Sequence, residues 1–439
     1  MLQYLIDPTV ELSTDYISKA IQNFCTKELP RLNKQWNYYK GKQKITKKRA
    51  VDVGRPCNIV ITNYCKSIVD KYLGYLTGIP INYDNEDFAE VLNVLKYNDV
   101  QQEDTEYLRQ ALIFGRAFEV NYVDEEGKQR FRLFDPRNCL PIYSNSLNNE
   151  LMYVVRFYQE NVDMDLTDDY YVEVYGPSTV RKYKSVPGWS SMTLIDEYPH
   201  FYNQCPITVF SLNTDEDCIF DQVITLQDAY NTLISSGVDD IEAWADAYLI
   251  LKGVIADDEE LAEAKRKRAF GIDTDADVSY LTKDVDNSQF EYMVENIHKQ
   301  IHQISLTPDF TDKNFMAQSG EAIKYKLTGF ETAAAGIESN MLKALQRRIE
   351  LICSIFSLTD EEQQWRDVSI NFTRNLPNSL TPTTVNELTA YKSLVSDETL
   401  LSLVPFVKDV DDEMEKMKKQ TEEELKEEWT TGENGNFNF

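Results

Sequence analysis

Only three histidines occur in 439 residues, which leaves little room for imidazole-based catalysis or metal binding. The seven cysteines, Cys25, Cys57, Cys65, Cys139, Cys205, Cys218 and Cys353, form no C-x-x-C pair. Neither a disulfide framework nor a zinc site is indicated, and the thiols are expected to be reduced core residues. No run of about 18 apolar residues occurs, so no membrane-spanning helix is expected. The first ten residues lack the basic-then-apolar pattern of a signal peptide, and the sequence reads as that of a soluble protein made inside the cell. Positive charge is also scarce, with 45 Lys plus Arg against 73 Asp plus Glu and a net charge of -28. A surface of that sign repels a polyanion on average. Phosphate-loop, dinucleotide-turn, nucleophile-elbow and H-E-x-x-H patterns are all missing, so no enzymatic activity and no cofactor are expected.

What the sequence does contain is a long apolar stripe over 319–356. Ile323, Leu327, Phe330, Ala334, Ile337, Met341, Leu345, Ile349, Ile352 and Phe356 follow one another in three- and four-residue steps, which places them on one side of a helix. At 1.5 Å per residue that helix extends roughly 50 to 55 Å, beyond the width of a small domain. It is expected to need a partner outside its own chain, with Ile337, Met341 and Leu345 packing against a neighbouring subunit.

The remainder divides by composition. Residues 16–39 read as a helix, followed by a basic loop with Lys40, Lys42, Lys44, Lys47, Lys48 and Arg49. That loop reads as a solvated, flexible segment or as a contact for an acidic neighbour. Residues 58–76 give a second helical period that stops at Gly78 and Pro80. A hairpin is expected around Asp124 to Gly127, and short β runs at 153–158, 171–175, 180–183 and 207–212 complete an α+β unit with a mostly antiparallel sheet. Helices at 223–247 and 290–304 then flank a small α/β insert, whose helix at 257–269 ends in Lys265, Arg266, Lys267 and Arg268. That cluster matches the helix dipole or makes a docking surface. Residues 368–372 read as a strand returning to the first unit's sheet, and terminal helices follow from Thr383, Asp397 and Asp409.

Candidates for chemistry are few. His298 and His302 lie four apart on a helix and can reach one ion, but no Glu, Asp or Cys neighbour of suitable geometry completes a set, so no metal site is expected. Asp309 after Pro308 opens no nuclease motif. A metal-dependent nuclease or phosphotransferase, or a monomeric acidic scaffold, stands as the alternative to an assembly protein.

The order of parts decides between these. Two helices interrupted by a small α/β insert, a polar loop, a long helix and terminal helices together resemble the portal proteins of tailed bacteriophages, siphophage type. Local sequence is similar too, at Tyr38 to Gly41, Ile68 to Asp70, Gly74 to Pro80, Phe134 to Pro136, Asp228 to Asn231 and Ser319 to Ala322.

The resemblance implies a mainly helical α+β subunit: a wing (1–220, with a return strand near 366–376), stem helices (221–247 and 287–305), a clip (248–286), a tunnel loop (306–319), a spanning helix (320–357), a helical crown (380–430) and a disordered tail (431–439). It implies a ring of about twelve copies at one capsid vertex of a virion, with double-stranded DNA passing along its axis. Terminase large subunit, head-tail adaptor, major capsid and scaffolding proteins are the implied partners, with no membrane. Asp309, Asp312, Lys313, Asn314 and Gln318 become channel-loop candidates, and Lys265 to Arg268 a docking surface on the clip.

Overall fold

The structure, a computed structural model, describes residues 4–50, 56–84, 89–162, 165–245, 248–252, 277–281, 287–309, 320–355, 364–375 and 395–402, with isolated positions at 259 and between 410 and 419. Two compact units are present, Met1–Asn375 and Leu376–Phe439.

The first unit begins with strand β1 (Tyr4–Ile6) and helices α1 (Thr14–Lys27) and α2 (Leu29–Tyr39). The single helical period over 16–39 is therefore two helices. Pro30 has no N–H with which to continue α1 and instead occupies the first turn of α2. The basic loop after them is not a solvated tether, because Lys44–Lys47 forms a 3-10 turn whose Ile45 is buried. Next come α3 (Tyr64–Thr77), β2 (Asn82–Asp84), α4 (Ala89–Tyr97) and α5 (Val100–Phe114).

Strands β3 (Arg116–Val123) and β4 (Gln129–Phe134) form the expected hairpin, with Gly127 at a φ of 76° in the turn. Five strands follow: β5 (Cys139–Ser144), β6 (Leu151–Val162), β7 (Asp165–Tyr175), β8 (Thr179–Ser185) and β9 (Met192–Pro199). Then comes β10 (Ile207–Ser211). These strands build two sheets rather than one. A six-stranded sheet has the order β1-β5-β6-β7-β8-β9, and a three-stranded sheet has the order β10-β3-β4. A 3-10 turn at Pro136–Asn138 carries the chain from the smaller sheet to the larger. Among the described residues, only β1 lies parallel to its neighbour.

Beyond the sheets lie α6 (Ile224–Ala245), β11 (Tyr248–Lys252), β12 (Asp277–Leu281), α7 (Asn287–Ile304), the 36-residue α8 (Gly320–Ile355) and β13 (Ser369–Asn371). Strand β13 does return to the first unit, but it pairs with β2 as a separate two-stranded ribbon. In the second unit α9 (Asp397–Ser402) coincides with one expected terminal helix. The helix expected from Thr383 lies outside the described residues.

The stripe of α8 is covered by its own chain. Ile337, Met341 and Leu345 are 5%, 0% and 0% exposed and join the main core with Leu112, Tyr72 and Phe210. These three are consequently not available to pack against a neighbouring subunit, because β10, α3 and other elements of the same chain already cover the face that the sequence leaves unpartnered. An Asp at either Ile337 or Leu345 buries an unpaired charge and is expected to unfold the chain.

One ion cluster fixes α8 against the sheets. Arg348 donates from Nε and Nη2 to both oxygens of Glu119 on β3, at 2.8 and 2.6 Å, and from Nη1 to Asp104 on α5 at 2.5 Å. Tyr83 on β2 donates to the other Asp104 oxygen at 2.6 Å. Burial works against the guanidinium's charge, but Glu119 and Asp104 outweigh it and hold the Arg348 pKa well above its usual value. A second buried arginine, Arg116, joins Glu28 at the α1–α2 junction to Glu216, each at 2.8 Å. Gly115 is required beside it, since a Cβ there meets the Glu216 carbonyl oxygen at 1.9 Å.

A different device places α6. The 58–76 period overestimates α3, which starts only at Tyr64, and the residues before it run extended along α6. Backbone N–H groups of Asn58, Val60, Thr62 and Tyr64 donate to side chains of Asp239, Ser235, Asn231 and Gln227, at 2.6, 3.0, 3.0 and 2.9 Å. Alternate residues of an extended chain advance about 6.6 Å and every fourth residue of a helix about 6.0 Å, so the two repeats stay in register for four rungs. Gln227, Asn231 and Ser235 are fully buried, so these rungs satisfy backbone groups that no helix or sheet partner serves.

Arg348→Met leaves two buried carboxylates without a cation and is expected to cost about 3–5 kcal/mol, read as a lower urea midpoint; an unchanged midpoint removes this cluster from the account of stability. Asn231→Leu strands the Thr62 N–H, at an expected cost of about 1–3 kcal/mol. Hydrogen exchange across 58–64 should accelerate in that variant but not in Thr232→Leu, one residue further along and exposed.

Candidate functional site

Helices α6 and α7 pack together and continue into β11 and β12, which pair antiparallel from Tyr248↔Leu281 to Lys252↔Asp277. The chain here runs helix, two-stranded ribbon, helix. The basic cluster Lys265, Arg266, Lys267 and Arg268 lies outside the described residues, as does the helix expected over 257–269 apart from a helical position at Glu259.

The far end of α7 is built in detail. Ile301 is fully buried and seats the helix, and the chain then reverses at Leu306, whose φ is 55°. The returning residues are held at several points. Tyr72 donates to the Ser305 carbonyl at 2.9 Å, and Lys71 donates to the Pro308 carbonyl at 2.9 Å. His302 Nδ1 lies 3.1 Å from both the carbonyl and hydroxyl oxygens of Thr307. Ser305 and Thr307 share a hydroxyl hydrogen bond of 2.8 Å.

This reversal brings Asp309 back beside the helix, with Oδ2 2.9 Å from His298 Nε2. Tyr64 Oη sits 2.6 Å from His298 Nδ1, so the imidazole is gripped at both nitrogens. The two histidine rings are 4.8 Å apart by centroid. Burial, and then the nearby Lys71 charge, lower the His302 pKa from its ordinary value, which favours the neutral ring.

Two expectations change here. Asp309 is fixed against His298 at the anchored root of the loop, with a side chain 23% exposed, rather than belonging to an unsupported polar segment. The histidine pair also has a carboxylate partner. Helical spacing could not disclose it, because Asp309 arrives through a chain reversal at a non-glycine residue in the left-handed region. A pointer existed in Pro308, which ends any continuation of α7 and forces the chain to turn close by. The other channel-loop candidates, Asp312, Lys313, Asn314 and Gln318, lie outside the described residues.

Sequence reasoning also missed the polar face of α6. Gln227, Asn231, Ser235 and Asp239 recur every four residues, a readable signal of one helical side, but an extended partner was not anticipated. Asp239 closes the ladder. Burial disfavours its charge, yet hydrogen bonds from Lys48 and from Asn58 hold its carboxyl below the usual carboxylate value. Lys48 of the basic segment is thereby committed to an intrachain ion pair.

Uncovered apolar side chains occur at several places, including Leu147 and Phe201 among the strands, and one group of them lies on α6 and α7. Ile241 is 75% and Tyr292 65% exposed, with Val238 and Met293 beside them in sequence also open. Near Met293 a groove of about 850 Å³ runs between α6, α7 and the Lys44–Lys47 turn.

Comparison with known proteins assigns the chain to a family. Residues 18–427 match the family described as "Phage portal protein, SPP1 Gp6-like". The "Portal protein" of Clostridium phage phiCD119 is 23% identical over 408 residues, covering 86% of this chain and 89% of that protein. Among solved structures, a chain from the neck of an empty GTA particle aligns with a TM-score of 0.40 at 11% identity, covering 78% of this chain and 90% of its own. A chain from the virion of a native gene transfer agent particle gives 0.39 at 10% identity, covering 77% and 89%. With the family matched across nearly the whole sequence, the chain belongs to the phage portal proteins.

Proposed function

We propose that this chain assembles into a closed ring of about twelve copies at one capsid vertex, and that double-stranded DNA enters and leaves the capsid through its axis. The observation that carries the ring is the open apolar face of the stem. Ile241 and Tyr292, 75% and 65% exposed, are costly to leave in water, and a second copy is the natural cover. Contacts of this kind run head to tail around an axis and close without leaving a free face. In this arrangement the interface lies on α6 and α7, while α8 supplies the subunit's core.

An acidic subunit suits a passage better than a grip. Each phosphate neutralised by Lys or Arg adds counterion-release affinity and slows sliding, whereas a net charge of -28 per chain keeps such contacts few. Lys313, with Asn314, Gln318 and Asp312, is proposed to line the narrowest part of the channel beyond the anchored root at Asp309. Lys265, Arg266, Lys267 and Arg268 are proposed to meet the terminase large subunit or the head-tail adaptor. The role is structural, and the DNA contact is independent of base sequence.

Light scattering on the purified protein should give a mass near twelve chains, and particle images should show the matching rotational symmetry. Ile241→Glu combined with Tyr292→Glu is expected to yield folded chains of low mass, and intact rings from that variant would remove the stem face from the interface. Lys313→Ala should assemble normally yet change DNA packaging or retention. Normal packaging would take Lys313 out of the DNA path.

A further inference from the structure

We propose that His298, His302 and Asp309 bind one divalent ion of the zinc class and thereby fasten the return segment 305–309 to α7. Among the described residues this is the one group of three metal-ligating side chains that converge, with donor atoms all within 4.8 Å of one another. All three are half-buried, which keeps them reachable from solvent while lowering the cost of desolvating an ion.

The hydrogen bonds set the ligand atoms. A carbonyl oxygen only accepts, so His302 Nδ1, 3.1 Å from the Thr307 carbonyl, carries the proton, and Nε2 keeps its lone pair for a metal. For His298, Tyr64 Oη at 2.6 Å can accept the Nδ1 proton, which leaves Nε2, the nitrogen facing Asp309, as the donor to the ion. Both imidazoles thus have the outer hydrogen-bond partner that metal-bound histidines use. In the metal-free state the Nε2 proton of His298 satisfies Asp309. On binding, that proton moves to Nδ1 or to solvent, and the ion takes its place between ring and carboxylate.

Bonds of about 2.1 Å at tetrahedral angles put ligand atoms roughly 3.3 Å apart, so the group must close by up to about 1.5 Å from its present spread. The Lys71 ammonium nearby opposes a cation, and the Asp309 carboxylate offsets it. Two imidazoles with one carboxylate favour Zn²⁺, Co²⁺ or Ni²⁺ over Mg²⁺ and Ca²⁺, and a water fills the remaining position. The site draws on one chain and does not depend on ring formation.

The test uses the full chain stripped with chelator and titrated with Co²⁺, whose visible absorption reports imidazole and carboxylate ligation. The expected result is bands that saturate at one Co²⁺ per chain, are displaced by Zn²⁺ and are unaffected by excess Mg²⁺. Asp309→Asn keeps a hydrogen-bonding partner for His298 and should fold, yet should weaken binding by at least about tenfold, as should His302→Gln. Tyr64→Phe should weaken it about tenfold through the outer shell. His200→Gln, which changes the wing histidine, should leave the titration unchanged. Absence of the bands in the unaltered chain, or bands that survive in Asp309→Asn at full affinity, would overturn the assignment.

Discussion

Two carboxylates closing on one buried guanidinium give this chain its frame. Arg348 lies near the end of a 36-residue helix, and its partners come from a strand and a second helix, with a tyrosine from a third element completing the set. An ion cluster buried this deeply tolerates little displacement, since each lost hydrogen bond leaves a charge in a medium that solvates it poorly. The apolar contacts of Ile337, Met341 and Leu345 tie the preceding turns of the same helix to the core. They are compatible with several small shifts along the helix axis, and the bidentate contact to Glu119 selects one.

That division of labour explains which parts of the fold the sequence discloses. The existence and extent of α8 were legible because ten apolar residues at helical steps admit no other geometry. What that stripe packs against was not legible, since periodicity reports that a face is apolar and is silent on who covers it. The same limit applies to α3. Ile61 lies on a helical period with Cys65 and Ile68, yet residues 56–63 are not helical, and side chains on α6 take up the N–H groups of Asn58, Val60 and Thr62. The hairpin at Gly127 and the break before Pro308 were readable from residues whose backbone preferences are strong. Pro30 marks a comparable break between α1 and α2, one that the apolar period over 16–39 conceals. The split into two sheets was hidden, as strand pairing between β3 and β10 spans about ninety residues and leaves no local mark.

The candidate site was half legible for a related reason. His298 and His302 share a helical face by arithmetic alone. Asp309 joins them only because Leu306 adopts a left-handed conformation that its residue type does not advertise. The helices at 223–247 and 290–304 were readable, but the exposure of their apolar residues depends on where α6 and α7 touch each other. Burial is a property of pairs of elements, and a single chain of letters gives the elements one at a time.

The ladder along α6 has a mechanical consequence. Asn58 faces Asp239 while Tyr64 faces Gln227, so the extended segment runs antiparallel to the helix with its rungs roughly perpendicular to the helix axis. A pull along that axis strains all four rungs together, in shear, instead of opening them one after another as in a zipper. The repeats differ by about 0.6 Å per rung, so slippage to a neighbouring register would require the segment to advance by two residues while the helix moves by four. Held in this way, α6 and the segment before α3 respond to an axial load as one stiff strut rather than as two separable pieces.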